Sequence, residues 1–114
     1  MKLLTKAIEA KLAKFPIRSQ DGNKTPEVIV KFFDPTGSWT WYATEGEKQP
    51  DGDWVFFGLV DGHEKELGYF VLSELSNIRV RFGLGIERDI HFSGNRLNLT
   101  GDEPVVERIP AVAQ

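Results

Sequence analysis

Apolar residues at helical spacing open the chain. Every fourth residue from Leu4 to Leu12 is apolar, and this stripe predicts an amphipathic helix over residues 5–14. Thr5 is expected to cap the helix, because its hydroxyl can accept a hydrogen bond from an early backbone N–H. Pro16 is expected to end it, because proline lacks the backbone donor and clashes with the preceding turn.

Runs rich in β-branched and aromatic residues follow, and they predict an antiparallel meander. Residues 34–37 read Asp-Pro-Thr-Gly, which fits a type I turn between two strands. Ten of the thirteen aromatic residues lie between Phe32 and Phe70, so the core is expected there. The predicted strands cover residues 27–33, 38–44, 54–60, 66–71 and 86–92, with a loop at 45–53 and a short edge strand at 96–99.

The rest of the chain predicts a short helix and a tail. Residues 73–79 are expected to form the helix, with Ser73 as its cap and Glu74 in its first turn. From residue 101 onward, prolines and small polar residues predict a loose tail. The predicted fold class is therefore α+β: an antiparallel sheet of four to six strands packed with an N-terminal helix and a second short helix. The expected organisation is one globular domain, residues 1–100, followed by the tail, residues 101–114.

Composition removes several classes of protein. The chain has no cysteine, which excludes disulfides, thiolate metal sites and cysteine nucleophiles. The longest apolar run, residues 55–60, is far too short to span a bilayer. The first 15 residues carry spread lysines without an apolar block, unlike a signal peptide. A cytoplasmic protein without a membrane partner is expected.

The net charge of −3 conceals an asymmetry along the chain. Residues 1–31 hold seven Lys or Arg and three Asp or Glu, which gives +4. Residues 44–75 hold eight Asp or Glu and two Lys, which gives −6. An acidic middle segment repels nucleic-acid phosphates and attracts a basic protein surface.

Several short motifs follow one another along the chain: residues 3–5 (LLT), 31–33 (KFF) with Pro35, 39–45 (WTWYATE), 56–60 (FFGLV), 66–70 (ELGYF), 73–75 (SEL), 83–84 (GL) and 86–89 (IERD). Taken in this order, they resemble the family known as domain of unknown function 2958. The resemblance covers residues 3–92. It implies carriage on plasmids, integrative elements and phages, beside anti-restriction and DNA-maintenance genes, and it implies no activity. Residues 79–82 (RVRF) depart from the glycine–proline bend usual at that point.

The leading hypothesis is a non-enzymatic protein-binding modulator carried by a mobile genetic element. Carboxylates gathered on one surface can replace nucleic-acid phosphates and block a basic groove, as an inhibitor of anti-CRISPR or anti-restriction type would. The expected partner is a host or element protein, including a nucleic-acid-binding defence protein. The same acids can also be a solvated rim, and the aromatics can be core. The predicted contacts are Glu45, Glu47, Asp51, Asp53 and Glu64, with Trp41 and Tyr42 as anchors.

Two alternatives stay open at this point. One is a small enzyme with a carboxylate and histidine site built from Glu66, Glu87, Asp89 and His91, or with Ser73 as a nucleophile beside His63. The other is a nucleic-acid-binding accessory protein, disfavoured by the acidic middle segment, that uses the basic helix with Lys2, Lys6, Lys11 and Lys14.

No catalytic residue, metal site or cofactor is predicted. Nucleotide-binding and hydrolase motifs are missing from the sequence. Residues 51–53 (DGD) match only the first two ligand positions of a calcium loop.

Overall fold

The computed structural model describes residues 1–111, and its first element is the helix α1, Lys6–Leu12. Thr5 caps α1 as predicted, because its Oγ1 accepts a hydrogen bond of 3.2 Å from the backbone N–H of Ile8. The helix ends two residues earlier than expected, in a tighter turn in which the N–H of Phe15 donates to the carbonyl of Leu12. Pro16 therefore lies beyond the helix and does not end it.

Five antiparallel strands form the main sheet, in the order β4-β3-β2-β1-β5. The predicted α+β class is confirmed. The helix α2, Leu72–Asn77, follows β4 directly, and a single 3₁₀ turn lies at Arg81–Gly83. The strands are β1 (Val30–Phe33), β2 (Thr40–Lys48), β3 (Trp54–Asp61), β4 (Lys65–Val71) and β5 (Glu87–Arg88).

A β-bulge lengthens β2 beyond its predicted end. The pairing with β3 passes from Ala43↔Gly58 to Glu45↔Phe57, so Thr44 is the extra residue. The strand then continues to Lys48, and the predicted loop over residues 45–53 is wrong for its first four residues.

The predicted strand over residues 86–92 is also too long, because β5 pairs only two residues with β1. The chain turns at Asp89, whose Oδ1 accepts a hydrogen bond of 3.0 Å from the backbone N–H of His91. The backbone N–H of Phe92 donates to the Asp89 carbonyl. This local turn satisfies groups that a longer strand would use in its ladder.

A second sheet forms from the predicted edge strand near residues 96–99 and from part of the expected loose tail. Strand β6, Asn95–Asn98, pairs with β7, Val105–Arg108, and Leu97 lies opposite Val106. The expectation of a tail without structure is therefore wrong for residues 105–108, while residues 112–114 lie outside the described part.

Each face of the main sheet carries a cluster of buried apolar side chains. One cluster, around Phe32 and Phe56, packs beneath both helices. The other joins Val28, Leu59 and Leu97 beneath the second sheet. Among the helices of residues 1–111, none is both long enough and apolar enough to cross a membrane.

Candidate functional site

A cleft of about 550 Å³ opens beside the turn that joins β1 to β2. Trp39 and Trp41 form one wall, with ring centroids 6.1 Å apart and planes 28° from parallel. The opposite side comes from the segment after α2. The lining residues are Asp34, Thr36, Ser38, Trp39, Trp41, Ile78, Val80, Arg81 and Ile86. This mostly apolar concavity with a few polar groups is the usual composition of a binding site.

Among residues 1–111, Asp34 supplies the only carboxylate in the lining of this cleft, and it is only 7% exposed. Its Oδ1 accepts hydrogen bonds from the backbone N–H and the hydroxyl of Thr36, at 2.7 and 2.6 Å. The predicted turn is confirmed by the bond from the N–H of Gly37 to the Asp34 carbonyl. Within residues 1–111, Oδ2 accepts no hydrogen bond. That oxygen can accept a donor from a bound group.

An exposed aromatic residue follows Arg81, one of the residues that line the cleft. Phe82 is 87% exposed and has φ 64°, a left-handed conformation that bulky residues rarely adopt. The guanidinium carbon of Arg81 lies 5.5 Å from the centre of its ring, and Leu84 is also exposed. Residues 81–84, the cleft rim, thus present large apolar side chains to solvent, which is typical of a contact surface.

Trp39 also lines a second pocket, which contains acidic residues. A shallower pocket of about 240 Å³ is lined by Trp39, Val60, His63, Glu64 and Glu66. The His63 ring meets the Trp39 ring edge-on at 5.4 Å. Within residues 1–111, neither glutamate forms a salt bridge. We call Glu64 and Glu66 the acidic flank.

Glu45, predicted as a surface contact, is buried at 3% exposure. Its Oε1 accepts from the backbone N–H of Arg18 at 2.8 Å, and its Oε2 accepts from that of Gln20 at 2.7 Å. Glu47 is exposed, and its Oε1 accepts from the N–H of Ile17 at 3.0 Å. Both carboxylates thus fix the loop after α1, and Glu45 is unavailable to a partner.

Asp53 is also held within the fold. Its Oδ2 accepts a hydrogen bond of 2.5 Å from the Ser73 hydroxyl, and its Oδ1 accepts from the backbone N–H groups of Ser73 and Trp54. The Ser73 hydroxyl is the main reason why the pKa of Asp53 is lowered. The prediction that Ser73 caps α2 is wrong, because α2 follows Val71 without a side-chain cap.

The five predicted acids do not form one surface. Glu47, Asp51 and Asp53 lie near the start of β3, whereas Glu64 lies beyond its end. An eight-residue strand is about 26 Å long. Only Glu64 therefore lies near the cleft.

The two predicted aromatic anchors project from opposite faces of β2. Trp41 is buried in the cleft wall. Tyr42 is half-buried against Phe92, at 6.0 Å between ring centroids, and Lys31 Nζ lies 5.8 Å from its ring centre. Burial is the main cause that raises the pKa of Tyr42, and the charges of Asp61 and Asp89 raise it further. A single partner surface cannot use both aromatics.

The groups of the first predicted enzyme site do not converge. Glu66 lies on β4 and Glu87 on β5, the two opposite edges of the sheet. Asp89 pairs with Lys31 at 3.4 Å. Across residues 1–111, no three His, Asp or Glu side chains are arranged to hold a metal ion.

The Ser73–His63 pairing fails as well. The two residues lie at opposite ends of β4, one before Lys65 and the other after Val71. Both enzyme sites that the sequence suggested are therefore wrong.

The basic helix offers exposed charge. Lys2, Lys6, Lys11 and Lys14 are all exposed. Lys11 Nζ also pairs with Glu27 at 2.7 Å. A nucleic-acid partner for this helix stays an unsupported alternative.

Two residues of the cleft region, Asp34 and Phe82, were not predicted as site residues, although the sequence holds a weak signal for each. Asp34 was assigned only to a turn, although it stands five residues before a Trp-x-Trp strand. Phe82 lies outside any alternating pattern, between an arginine and a glycine. An aromatic residue that no strand or helix pattern explains is the signal that could have located the rim.

A family model described as "Protein of unknown function (DUF2958)" matches residues 3–100 of the 114-residue chain. The match agrees with the resemblance seen in the motifs. No curated protein and no solved structure shows significant similarity to the chain.

Proposed function

The chain belongs to the DUF2958 family, and we propose that it is a non-enzymatic protein-binding modulator whose partner docks at the Trp39–Trp41 cleft. The observation that carries the proposal is the meeting of three features at one place. These are the apolar cleft, the exposed Phe82 in the rim segment and the acidic flank in the second pocket that Trp39 lines.

Burial of the rim supplies the driving force for docking. An aromatic side chain left almost wholly in water gains free energy when a partner covers it, and aromatic residues dominate the binding energy of many interfaces. Phe82 is held in an unusual backbone conformation beside Gly83, which also has a positive φ.

The acidic flank selects the kind of partner. Glu66 lies on the edge strand β4, and Glu64 lies just before this strand. Unpaired carboxylates at the margin of an interface accelerate association with a basic surface and disfavour acidic ones. We therefore propose a basic partner protein.

A nucleic-acid-binding defence protein fits this chemistry. The groove of such a protein responds to negative charge, so carboxylates can occupy it in place of phosphates. Together with the mobile-element carriage that the family resemblance implies, this supports a cytoplasmic inhibitor of anti-CRISPR or anti-restriction type.

Capture with matched charge variants tests the proposal. Tagged wild-type protein, the double variant E64K/E66K and the distal variant D51K are used to capture proteins from a host lysate. We expect one partner that wild type and D51K retain and the double variant loses. Retention of the same partner by E64K/E66K would contradict docking beside the acidic flank.

A plasmid or phage challenge then tests the biological role. Host cells that carry a restriction or CRISPR system are challenged with and without the protein, and the efficiency of establishment is counted. We expect establishment to rise with wild type and with D51K, but not with E64K/E66K. Equal establishment with and without the wild-type protein would contradict the anti-defence role.

A further inference from the structure

The geometry points to a specific occupant of the cleft: we propose that it receives one arginine side chain of the partner. This inference rests on the proposed function and names the group that the site recognises. In the proposed arrangement the arginine stem packs along the tryptophan wall, and its guanidinium donates to Asp34.

The carboxylate of Asp34 is the first reason. The residue is more than nine-tenths buried, and its Oδ1 accepts from Thr36. Within residues 1–111 its Oδ2 has no donor and keeps contact with solvent. A negative charge in an apolar cleft is best satisfied by a cation that also donates hydrogen bonds. An apolar side chain would leave that oxygen unpaired and bury it further.

The tryptophan wall is the second reason. Trp39 and Trp41 lie in the cleft lining as a nearly parallel pair. An arginine stem buries its methylene groups along apolar surface, and a guanidinium is more weakly hydrated than an ammonium group, so arginine suits this wall better than lysine.

The surrounding charges are the third reason. The acidic flank adjoins Trp39, and its glutamates have no cationic partner within residues 1–111. Arg81 also lines the cleft but forms no salt bridge with Asp34 or with any other carboxylate of the described chain. Arg81 therefore repels an entering cation, but it does not occupy the Asp34 carboxylate.

Small arginine mimics test the inference directly. The probes are acetyl-arginine methylamide, its neutral isostere acetyl-citrulline methylamide, and acetyl-leucine methylamide. Each is titrated into the full chain while the side-chain N–H resonance of Trp39 is followed by NMR. We expect saturable binding of the arginine probe and about tenfold weaker binding of the other two, because a hydrogen bond to a charged group is lost.

Three variants identify the groups responsible. D34N should abolish the preference for arginine over citrulline, whereas D51N, at the other end of β3, should keep it. R81Q should tighten binding of the arginine probe by about threefold, because an exposed like charge is removed. Arg81 is exposed and lies outside the Asp34 turn. The affinity of R81Q for the arginine probe therefore remains decisive even if D34N fails to fold.

The outcomes separate this inference from the proposed function. Equal or tighter binding of the citrulline or leucine probe would overturn the arginine preference and leave the cleft as a docking site. Absence of any Trp39 shift would overturn the inference, while capture by wild type and not by E64K/E66K would still uphold the proposed function. An unchanged or weaker affinity in R81Q would also count against a cationic occupant.

Discussion

The buried carboxylate of Glu45 accepts a hydrogen bond of 2.7 Å from the backbone N–H of Gln20, which lies 25 residues earlier in the chain. Its second oxygen accepts from the N–H of Arg18. One side chain at the β2 bulge thus fixes the loop that follows α1. An acid that the charge pattern assigned to a partner surface instead connects two distant parts of the fold.

Replacement of Glu45 by alanine is expected to destabilise the protein strongly. The substitution leaves two backbone donors without their acceptor, so we expect a loss of about 2–4 kcal/mol in the free energy of unfolding. Chemical denaturation measures the change. The neighbouring E47A removes one exposed hydrogen bond and should cost less than about 1 kcal/mol. Similar losses in both variants would refute the structural role of Glu45.

Gly58 is expected to tolerate no side chain. A Cβ at this position would lie 1.8 Å from the backbone oxygen of Tyr42, on the adjacent strand. Because backbone must move to relieve that contact, G58A should lower the free energy of unfolding by at least about 2 kcal/mol. At its pairing partner Gly68, a Cβ would meet no atom of residues 1–111 within 4 Å, so G68A should change stability by less than about 1 kcal/mol. A G58A protein as stable as wild type in chemical denaturation would contradict the close approach of β2 and β3 at this position.

The second sheet is expected to be part of the folded domain. Leu97 is fully buried between the two sheets, so L97A should cost about 2–4 kcal/mol in thermal or chemical unfolding. Val105, on the paired strand, is half exposed, and V105A should stay within about 0.5 kcal/mol of wild type. If L97A were as stable as V105A, residues 95–108 would not be packed on the sheet.

Asp53 is expected to make stability depend on pH in acid. In the folded state its pKa is lowered from the ordinary value of 3.8. The stabilisation that ionised Asp53 adds to the free energy of unfolding is therefore present above pH 3.8 and is lost as pH falls through the lower folded-state pKa. S73A removes the main cause, and the pKa of Asp53 measured by NMR titration should rise. The exposed S76A on the same helix is the control and should leave it unchanged. An unaltered pKa in S73A would contradict the assigned cause.

Local patterns predicted the elements whose causes are local. The Thr5 cap and the turn at residues 34–37 depend on neighbours within four residues, and both occur as expected. Strand β4 also matches its predicted range to one residue, because its turn and its apolar positions are adjacent in sequence.

Features that depend on distant partners were missed. Glu45 was predicted to lie in a loop, because no residue near it in the sequence indicates that the backbone N–H groups of Arg18 and Gln20 donate to it. Strand β7 exists because Val106 packs with Leu97 across a loop, and its own composition suggested a tail. The cleft combines residues from three separate segments, so charge counts along the chain could locate Glu64 but not Asp34 or Phe82.

Site-specific crosslinking tests the docking of a partner at the cleft most directly. A photoreactive p-benzoylphenylalanine replaces Phe82 on the rim in one version and Tyr69 in another, and cells that produce each version are irradiated. Tyr69 is a matched control, because it is also aromatic, is 63% exposed and pairs with Phe57 on the opposite face of the sheet. We predict a discrete crosslinked partner from position 82 that disappears with E64K/E66K, and none of that size from position 69. The same adduct from both positions, or an adduct from position 69 alone, would contradict docking at the cleft.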